Sequence, residues 1–251
     1  MKLKSILGAV LAGALALGST LAHAQAGPIY LTPKLLYSHQ SVKSFDSTMS
    51  GSVNSHYSSG DRTDNVFGGG LAIGYDFGAV GYTPFRTELE FLARGASEAD
   101  YGKKISGATY DHSTIATGHS FKTKAYTLFA NVYYDFVNDS NLTPYIGGGI
   151  GAAYLDTTSK ITIYDPNTSQ VLERADGNQD GWNFAWNLGG GVAYQISDTT
   201  ALDLGYRYTD MGEAEASSRA HHTYRNEHYR PHTKADISAH EFILGLRISG
   251  Y

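Results

Sequence analysis

The feature that most constrains the fold of this chain is a strict alternation of apolar and polar residues. Residues 202–208 read LDLGYRY, so leucine and tyrosine occupy one face while Asp203, Gly205 and Arg207 occupy the other. A period of two is that of a β-strand, whose successive side chains point to opposite faces. In a soluble sheet the leucines would be buried. In a transmembrane β-barrel they face lipid, and the charged face points into the barrel.

Eight segments of the sequence alternate in this way. They are residues 29–42, 66–77, 85–95, 124–136, 144–155, 183–196, 202–208 and 237–249. Apart from Lys124 at the start of its segment, the apolar face of these segments carries no Lys, Arg, Asp or Glu. One Lys or Arg at a bilayer midplane costs about 2–4 kcal/mol, so the charge-free face favours lipid contact. Pro33 cannot donate to a strand ladder, and we expect a bulge or local distortion there.

The connections between the segments alternate in length. Residues 78–84, 137–143 and 197–201 are short, whereas 43–65, 96–123, 156–182 and 212–236 are long and polar. Within the third long connection, residues 160–173 predict a hairpin that stands above the membrane. Short turns on one side and long loops on the other are typical of outer-membrane barrels. The predicted fold is therefore all-β: an eight-stranded antiparallel up-and-down transmembrane β-barrel with short periplasmic turns and four long surface loops.

The polar faces of the eight segments carry nearly balanced charges. They are Lys34, Arg86, Arg94, Arg207 and Arg247 against Asp76, Glu88, Glu90, Asp135, Asp203 and Glu241. A barrel of eight strands is just wide enough for side chains to fill, and unpaired buried charges are very costly. We therefore expect a paired network in the barrel interior, with inward glycines making room for it; a gate or a selective conduit is the alternative. Its candidate members are Arg86, Glu88, Glu90, Arg94, Asp203, Arg207, Glu241 and Arg247.

The first residues have the pattern of a secretory signal. Lys2 and Lys4 precede an apolar stretch at 6–17, and residues 22–24 read AHA, a small-residue cleavage site. We predict a signal peptide at 1–24 and a barrel domain at 25–251, with the mature chain starting at about Gln25. The protein is then exported to the cell outer membrane.

Composition excludes several other classes of function. The 251 residues include no Cys, which excludes a disulfide scaffold and thiolate metal sites. The formal net charge of −5 gives no basic bulk for nucleic acid. We expect no cofactor, no metal and no nucleic-acid partner.

Four strand segments resemble a known family. Residues 87–91 (TELEF), 143–151 (TPYIGGGIG), 202–208 (LDLGYRY) and 240–247 (HEFILGLR) are similar to the opacity-protein (opacity porin) family of Gram-negative outer-membrane proteins. The resemblance implies an eight-stranded barrel related to the membrane domain of outer-membrane protein A. It also implies variable surface loops that act as adhesins or antigens. The family's last strand ends on an in-phase aromatic that the barrel assembly machinery reads, whereas Tyr251 here falls out of phase.

The last long connection is rich in cations. Arg219, Arg225, Arg230 and Lys234 oppose a single acidic residue, Glu227, between positions 219 and 234. We interpret these cations as an anion-binding loop for lipopolysaccharide phosphates or sulfated host glycans; the alternative is a plain solvated loop.

Two further sites are weaker. His228 and His232 could share a metal only on a helix, where residues i and i+4 meet. Ser238 and His240 share the outward parity, where a lipid A-modifying enzyme would place such a pair, yet no third orienting group is evident.

We therefore predict a non-enzymatic, monomeric outer-membrane protein that contacts outer-membrane lipid, lipopolysaccharide and the assembly machinery. Its loops would serve as adhesin or surface antigen, or the barrel would have a structural role in the membrane, and a host receptor or glycan is a further partner. The alternative function is a narrow porin for small solutes, and the remote one is the enzyme.

Overall fold

The computed structural model describes residues 27–50, 55–81, 83–110, 113–164, 167–168, 170–217, 220–222 and 227–250. This part of the chain forms eleven strands and one short 3-10 turn, Gly78–Val80. The strands are β1 Ile29–Ser50, β2 Ser55–Ser59, β3 Arg62–Asp76, β4 Phe85–Arg94, β5 Ser97–Tyr110, β6 Ser113–Asp135, β7 Leu142–Tyr164, β8 Val171–Ser197, β9 Thr200–Ser217, β10 Ala220–His222 and β11 Glu227–Ser249. Among these residues, no helix is long and apolar enough to cross a bilayer.

Eight of the strands close into a ring of antiparallel neighbours. The order is β1, β3, β4, β6, β7, β8, β9 and β11, and β11 pairs with β1 to complete the ring. Strands β2, β5 and β10 lie outside it and pair with β1, β6 and β11. The predicted up-and-down eight-stranded barrel is confirmed.

The pairing registers fix the tilt of the strands. Paired residues can be followed from strand to strand once around the ring. A path that starts at Val192 of β8 returns to β8 at Trp182, ten residues away. In order, it passes Val192, Leu204, Leu244, Leu35, Gly69, Ala93, Tyr126, Tyr154 and Trp182. Ten rises of about 3.4 Å against eight spacings of about 4.8 Å give a tilt of about 41°, within the range of closed barrels. Ten tilted residues span about 26 Å, which matches the apolar band of a transmembrane barrel.

The apolar face of the strands is exposed and the charged face is buried, as predicted for a transmembrane barrel. Leu204 is 54% exposed on the outside, whereas Arg207 is 5% exposed on the inside. Aromatic rings form two belts on the outer surface. The upper belt contains Tyr37, Phe67, Tyr126, Tyr154, Trp182 and Tyr208, and the lower belt contains Tyr75, Phe85, Tyr134, Phe136 and Tyr194. Such belts mark the two bilayer interfaces.

The short connections lie at the lower end of the barrel, together with both ends of the described chain. Gly27 donates its backbone N–H to Gly250, and the 3-10 turn is capped by Asp76, whose carboxylate accepts from the N–H of Gly78. This end is the periplasmic end, as predicted.

The long connections differ from the prediction of plain loops, because the strands continue past the upper belt. β7 and β8 stay paired from Tyr154 with Trp182 to Tyr164 with Val171, which confirms the hairpin predicted at 160–173. Backbone pairing does not depend on lipid, so strands extend beyond the stretch that the apolar pattern marks. At Pro33 β1 has no bulge, because its register with β3 is continuous, but its ladder with β11 omits Thr32 and Pro33, which agrees with the local distortion expected there. β1 bulges instead between Lys43 and Asp46.

Candidate functional site

The interior charges form one chain of alternating sign across the barrel. Lys34 Nζ lies 2.6 Å from Glu88 and 2.7 Å from Glu90, and Arg207 lies 2.7 Å from Glu90. The complete order is Asp135, Arg86, Glu88, Lys34, Glu90, Arg207, Glu241 and Arg94. Arg247 and Asp203 form a looser pair at 3.5 Å. We call these ten residues the interior charge network; it contains five cations and five anions.

Glu241 is the most heavily bonded member of this network. Its carboxylate accepts two hydrogen bonds from Arg94, one from Arg207, one from Thr209 and one from Ser38. The residue is fully buried. Both lone-pair sets of the carboxylate are therefore used, which offsets the cost of removing the charge from water.

Arg86 is held by charge and by aromatic rings at once. Its Nε and Nη2 donate to the two oxygens of Asp135 at 2.6 and 2.8 Å. The guanidinium also lies 5.1 Å from the ring centre of Tyr133 and 5.2 Å from that of Tyr145. A planar guanidinium suits both the bidentate carboxylate and the ring faces, so lysine could not replace it equally.

Inward glycines leave the space that these side chains occupy. A methyl group at Gly189 would lie 2.3 Å from the backbone oxygen of Tyr206 and 2.5 Å from Cβ of Arg207, and one at Gly191 would lie 2.3 Å from the backbone oxygen of Leu204 and 2.6 Å from the hydroxyl of Tyr145. Real side chains do not approach so closely, so glycine at these positions accommodates both the backbone of β9 and the interior side chains.

Above the network, towards the upper belt, the interior becomes mostly apolar. The buried apolar side chains there include Phe121, Phe129, Met211 and Ile237, with Ala125, Ala153, Ala185, Ala214, Ala235 and Ala239, and they are interleaved with the buried polar side chains of Gln40, Thr123 and Thr157. We call this set the apolar layer. The guanidinium of Arg207 meets the ring of Phe129 at 5.5 Å, which is where the two regions join.

The structure brings together all eight network residues that the sequence singled out. It adds Lys34 and Asp135, which the alternation had placed on the same face. The sequence analysis missed the tyrosines beside Arg86. Tyr133 and Tyr145 have the parity of the inward residues in their strands, which could have indicated that they face the interior. The apolar layer was also missed, because the alternation gives no reason to expect apolar residues inside.

The predicted anion-binding loop is only partly within the described chain. Arg219 and Arg225 lie outside the described residues, and Arg230 is described in its backbone alone. Lys234 lies 2.7 Å from both Glu213 and Glu215. These two carboxylates raise the pKa of Lys234, and the hydrogen bond from Lys234 lowers the pKa of Glu215. The charge of Lys234 is therefore neutralised locally.

The side pairs considered from the sequence are not assembled. His228 is described in its backbone alone, and His232 Nδ1 meets the hydroxyl of Ser217 at 2.9 Å. Ser238 is buried, and it stays in continuous register with β1. His240 stays outside, and its Nδ1 meets the hydroxyl of Tyr206 at 2.8 Å. Ser238 and His240 therefore keep the shared parity that the sequence predicted, although only His240 is exposed.

A closed ring of eight strands, with an apolar outside between two aromatic belts and a charged inside, defines an integral outer-membrane β-barrel protein. The sequence matches the family model described as "Outer membrane protein beta-barrel domain" over residues 7–248, and the chain belongs to this family. The protein is located in the outer membrane, and the predicted opacity-type barrel is confirmed.

Relatives agree with this assignment. "Outer membrane protein PagN" of Salmonella typhimurium is 34% identical over 222 residues, which cover 87% of this chain and 88% of the relative. An uncharacterized protein of Brucella abortus is 33% identical over 161 residues, 59% of this chain and 52% of that protein. Among solved structures, the outer membrane protein OprG from Pseudomonas aeruginosa has a TM-score of 0.49 at 14% identity and covers 90% of this chain and 99% of its own. Neisserial surface protein A has a TM-score of 0.44 at 15% identity with the same two coverages.

Proposed function

We propose that the protein is a surface-display barrel, whose ribbons above the membrane act as adhesin or surface antigen. The observation that supports this is the length of the paired strands beyond the upper belt. From Tyr154 to Tyr164, β7 continues for ten residues, which at the same tilt is about 26 Å. A barrel with a purely structural role in the membrane has no need of such projections.

Some charges on the sides of the ribbons pair with each other, so we place recognition at the tips. Lys122 pairs with Glu98, and Lys124 lies 4.0 Å from Asp156, all on the outer surface. Exposed pairs of this kind are weak, but they leave no excess charge for a partner. The contact with a host receptor or glycan then falls to the tips.

The cationic segment 219–234 is the one that we assign to anionic partners, either lipopolysaccharide phosphates or sulfated host glycans. Because Glu213 and Glu215 neutralise Lys234, the arginines carry the attraction. Retention on a heparin column in detergent tests this. Simultaneous replacement of Arg219, Arg225 and Arg230 by Ala should cause earlier elution, whereas Lys234→Ala should elute with the wild type. Equal elution of all three proteins would remove the anion-binding role.

Adhesion itself is tested with whole cells. A strain that expresses the protein should bind host cells, and replacing residues 218–226 by a Gly/Ser segment of equal length should reduce binding. The matched control replaces periplasmic residues 138–141, which lie on the other side of the membrane. Undiminished binding by the tip variant would contradict display through this connection.

We propose that the protein is neither a porin nor an enzyme. Paired interior charges beneath an apolar layer leave little room for solute, and the buried Ser238 supports the non-enzymatic role. Lipid A from an expressing strain should keep its acylation pattern in mass spectrometry; a changed pattern would favour the enzyme.

We also propose that the mature protein is a monomer inserted by the barrel assembly machinery after removal of residues 1–24. N-terminal sequencing of the outer-membrane form should begin at Gln25. A start within the first 20 residues would contradict the signal peptide.

A further inference from the structure

Two histidines lie directly opposite each other on the outer surface of the barrel. His39 of β1 pairs with His240 of β11, and the ladder is continuous on both sides of this pair. His240 also pairs with Tyr208 of the upper belt, so both imidazoles lie at the outer bilayer interface. His39 is partly exposed and His240 is exposed. The Cβ atoms of directly opposed residues are about 4.5–5.5 Å apart, so both rings can reach one small ligand.

The hydrogen bonds of the two rings determine which nitrogen is free in each. Nδ1 of His39 lies 2.7 Å from Oδ1 of Asn65 on β3. Because an amide oxygen only accepts, this Nδ1 carries the proton and Nε2 keeps its lone pair. Nδ1 of His240 lies 2.8 Å from the hydroxyl of Tyr206 on β9. Each ring is therefore held through Nδ1 and has its Nε2 outside that bond.

The same hydrogen bonds set the direction in which each ring faces. β3 lies on the side of β1 remote from β11, and β9 lies on the side of β11 remote from β1. Since Nδ1 and Cδ2 occupy opposite edges of an imidazole, the edge with Cδ2 and Nε2 is turned towards the other histidine. Tyr208 and Tyr206 also hold the ring of His240, with ring centres 5.3 and 6.1 Å away. The two Nε2 edges thus face the same gap.

This arrangement has the chemistry of a metal-binding histidine pair. A ligating histidine almost always donates its second N–H to an oxygen, which fixes the ring and its tautomer. Neutral imidazole suits Zn²⁺, Cu²⁺ and Ni²⁺, whereas Mg²⁺ and Ca²⁺ prefer oxygen ligands. Over the described residues, no cluster of three or more His, Cys, Asp or Glu is placed to hold a metal. The protein therefore supplies two ligands here, and solvent must supply the others.

We propose that His39 and His240 form a two-histidine site for a divalent transition-metal ion, with Zn²⁺ as its probe. Nε2 of each ring binds the ion, and the oxygens of Asn65 and Tyr206 accept from the two Nδ1–H groups. From the sequence we expected no metal, because positions 39 and 240 are far apart and only the pairing of β1 with β11 brings them together. A bound ion then links the first and last strands across the closing seam of the barrel. This inference is independent of what the surface ribbons bind.

The unaltered protein tests the site residue by residue. The folded, metal-free protein in detergent is treated with diethylpyrocarbonate, which modifies histidine nitrogens, and the modified positions are read by mass spectrometry. Zn²⁺ should protect His39 and His240 together and over the same concentration range, whereas Mg²⁺ should protect neither. Protection of only one of the two, protection of neither, or equal protection by Mg²⁺ would overturn the proposal.

A second measurement counts bound Zn²⁺ by equilibrium dialysis at a fixed free concentration. His39→Gln and His240→Gln should each bind one equivalent fewer than the wild type. The double variant should lose the same single equivalent, because both residues serve one ion. An unchanged count in either single variant, or a loss of two equivalents in the double variant, would contradict a shared site.

Two further variants separate the ligands from their surroundings. Asn65→Leu keeps both ligands but removes the acceptor that orients His39, and it should weaken Zn²⁺ protection by about 10–100-fold. The control is His232→Gln, whose Nδ1 meets the hydroxyl of Ser217 on the ribbon above, and it should leave the joint protection of His39 and His240 unchanged. Equal behaviour of Asn65→Leu and His232→Gln would contradict the orienting role of Asn65 on which the site depends.

Discussion

Removing the carboxylate of Glu241 should be among the most destabilising single changes in the barrel. Glu241→Ala abolishes five hydrogen bonds and leaves Arg94 without a carboxylate at a fully buried site. Removing one partner of a buried ion pair costs about 3–5 kcal/mol, because the remaining charge is uncompensated. With a urea m-value of about 3 kcal/mol/M, the unfolding midpoint should fall by roughly 1–1.7 M.

The assay is urea unfolding in lipid vesicles, read by heat-modifiable gel migration and tryptophan fluorescence. Glu98→Ala is the matched control, because it breaks a pair whose side chains are about half exposed, 47% at Lys122 and 55% at Glu98. Exposed pairs contribute about 0–1 kcal/mol, so its midpoint should move by less than about 0.4 M. Joint replacement of Arg94 by Met and Glu241 by Leu should recover much of the loss. Equal midpoints for Glu241→Ala and Glu98→Ala would refute the view that the network supports the barrel.

Three further predictions address the faces, the glycines and the pore. Leu204→Arg puts a charge near the middle of the apolar band, which costs about 2–4 kcal/mol, and it should lower the folded yield on a heat-modifiability gel. The control Asn178→Arg lies outside on β8, above the upper belt, and should not lower the yield. Equal yields of the two variants would contradict the face assignment. Gly189→Ala should lower stability by about 1–3 kcal/mol in the same urea assay because it crowds the backbone of β9 at Tyr206 and Arg207, whereas Gly181→Ala, with open space around it, should be neutral. Planar-bilayer recordings of the wild type should show no steady large conductance. A steady large conductance would contradict a closed barrel interior.

The alternation predicted the membrane part of the barrel well because lipid imposes the same rule on every strand. Residues 202–208 gave the face assignment of β9 directly, since each outward side chain there must tolerate acyl chains. The inward charges followed from parity alone.

The rest of the fold was harder to predict for two physical reasons. In β9 the polarity inverts above Asp210: apolar Met211, Ala214 and Ala216 become buried. The backbone also shifts parity at Gly212, whose φ of 75° lies in the left-handed region. A two-residue period cannot be followed through such a break.

Partner choice inside the barrel depends on distant residues. Glu241 meets Arg94 across 147 positions of sequence, and only the closed ring brings them together.

The paired ribbons separate two kinds of sequence change. Below the upper belt, each strand contacts lipid on its outer face and ion pairs on its inner face. Insertions there would shift the register and disturb the neighbouring strands. At the tip of the β7–β8 hairpin, around Asn167, added residues lengthen a free end and leave the register below untouched. The membrane part of the barrel is therefore constrained, whereas the tips of the ribbons can change. Recognition can diversify at the tips while the way the barrel inserts in the membrane stays the same.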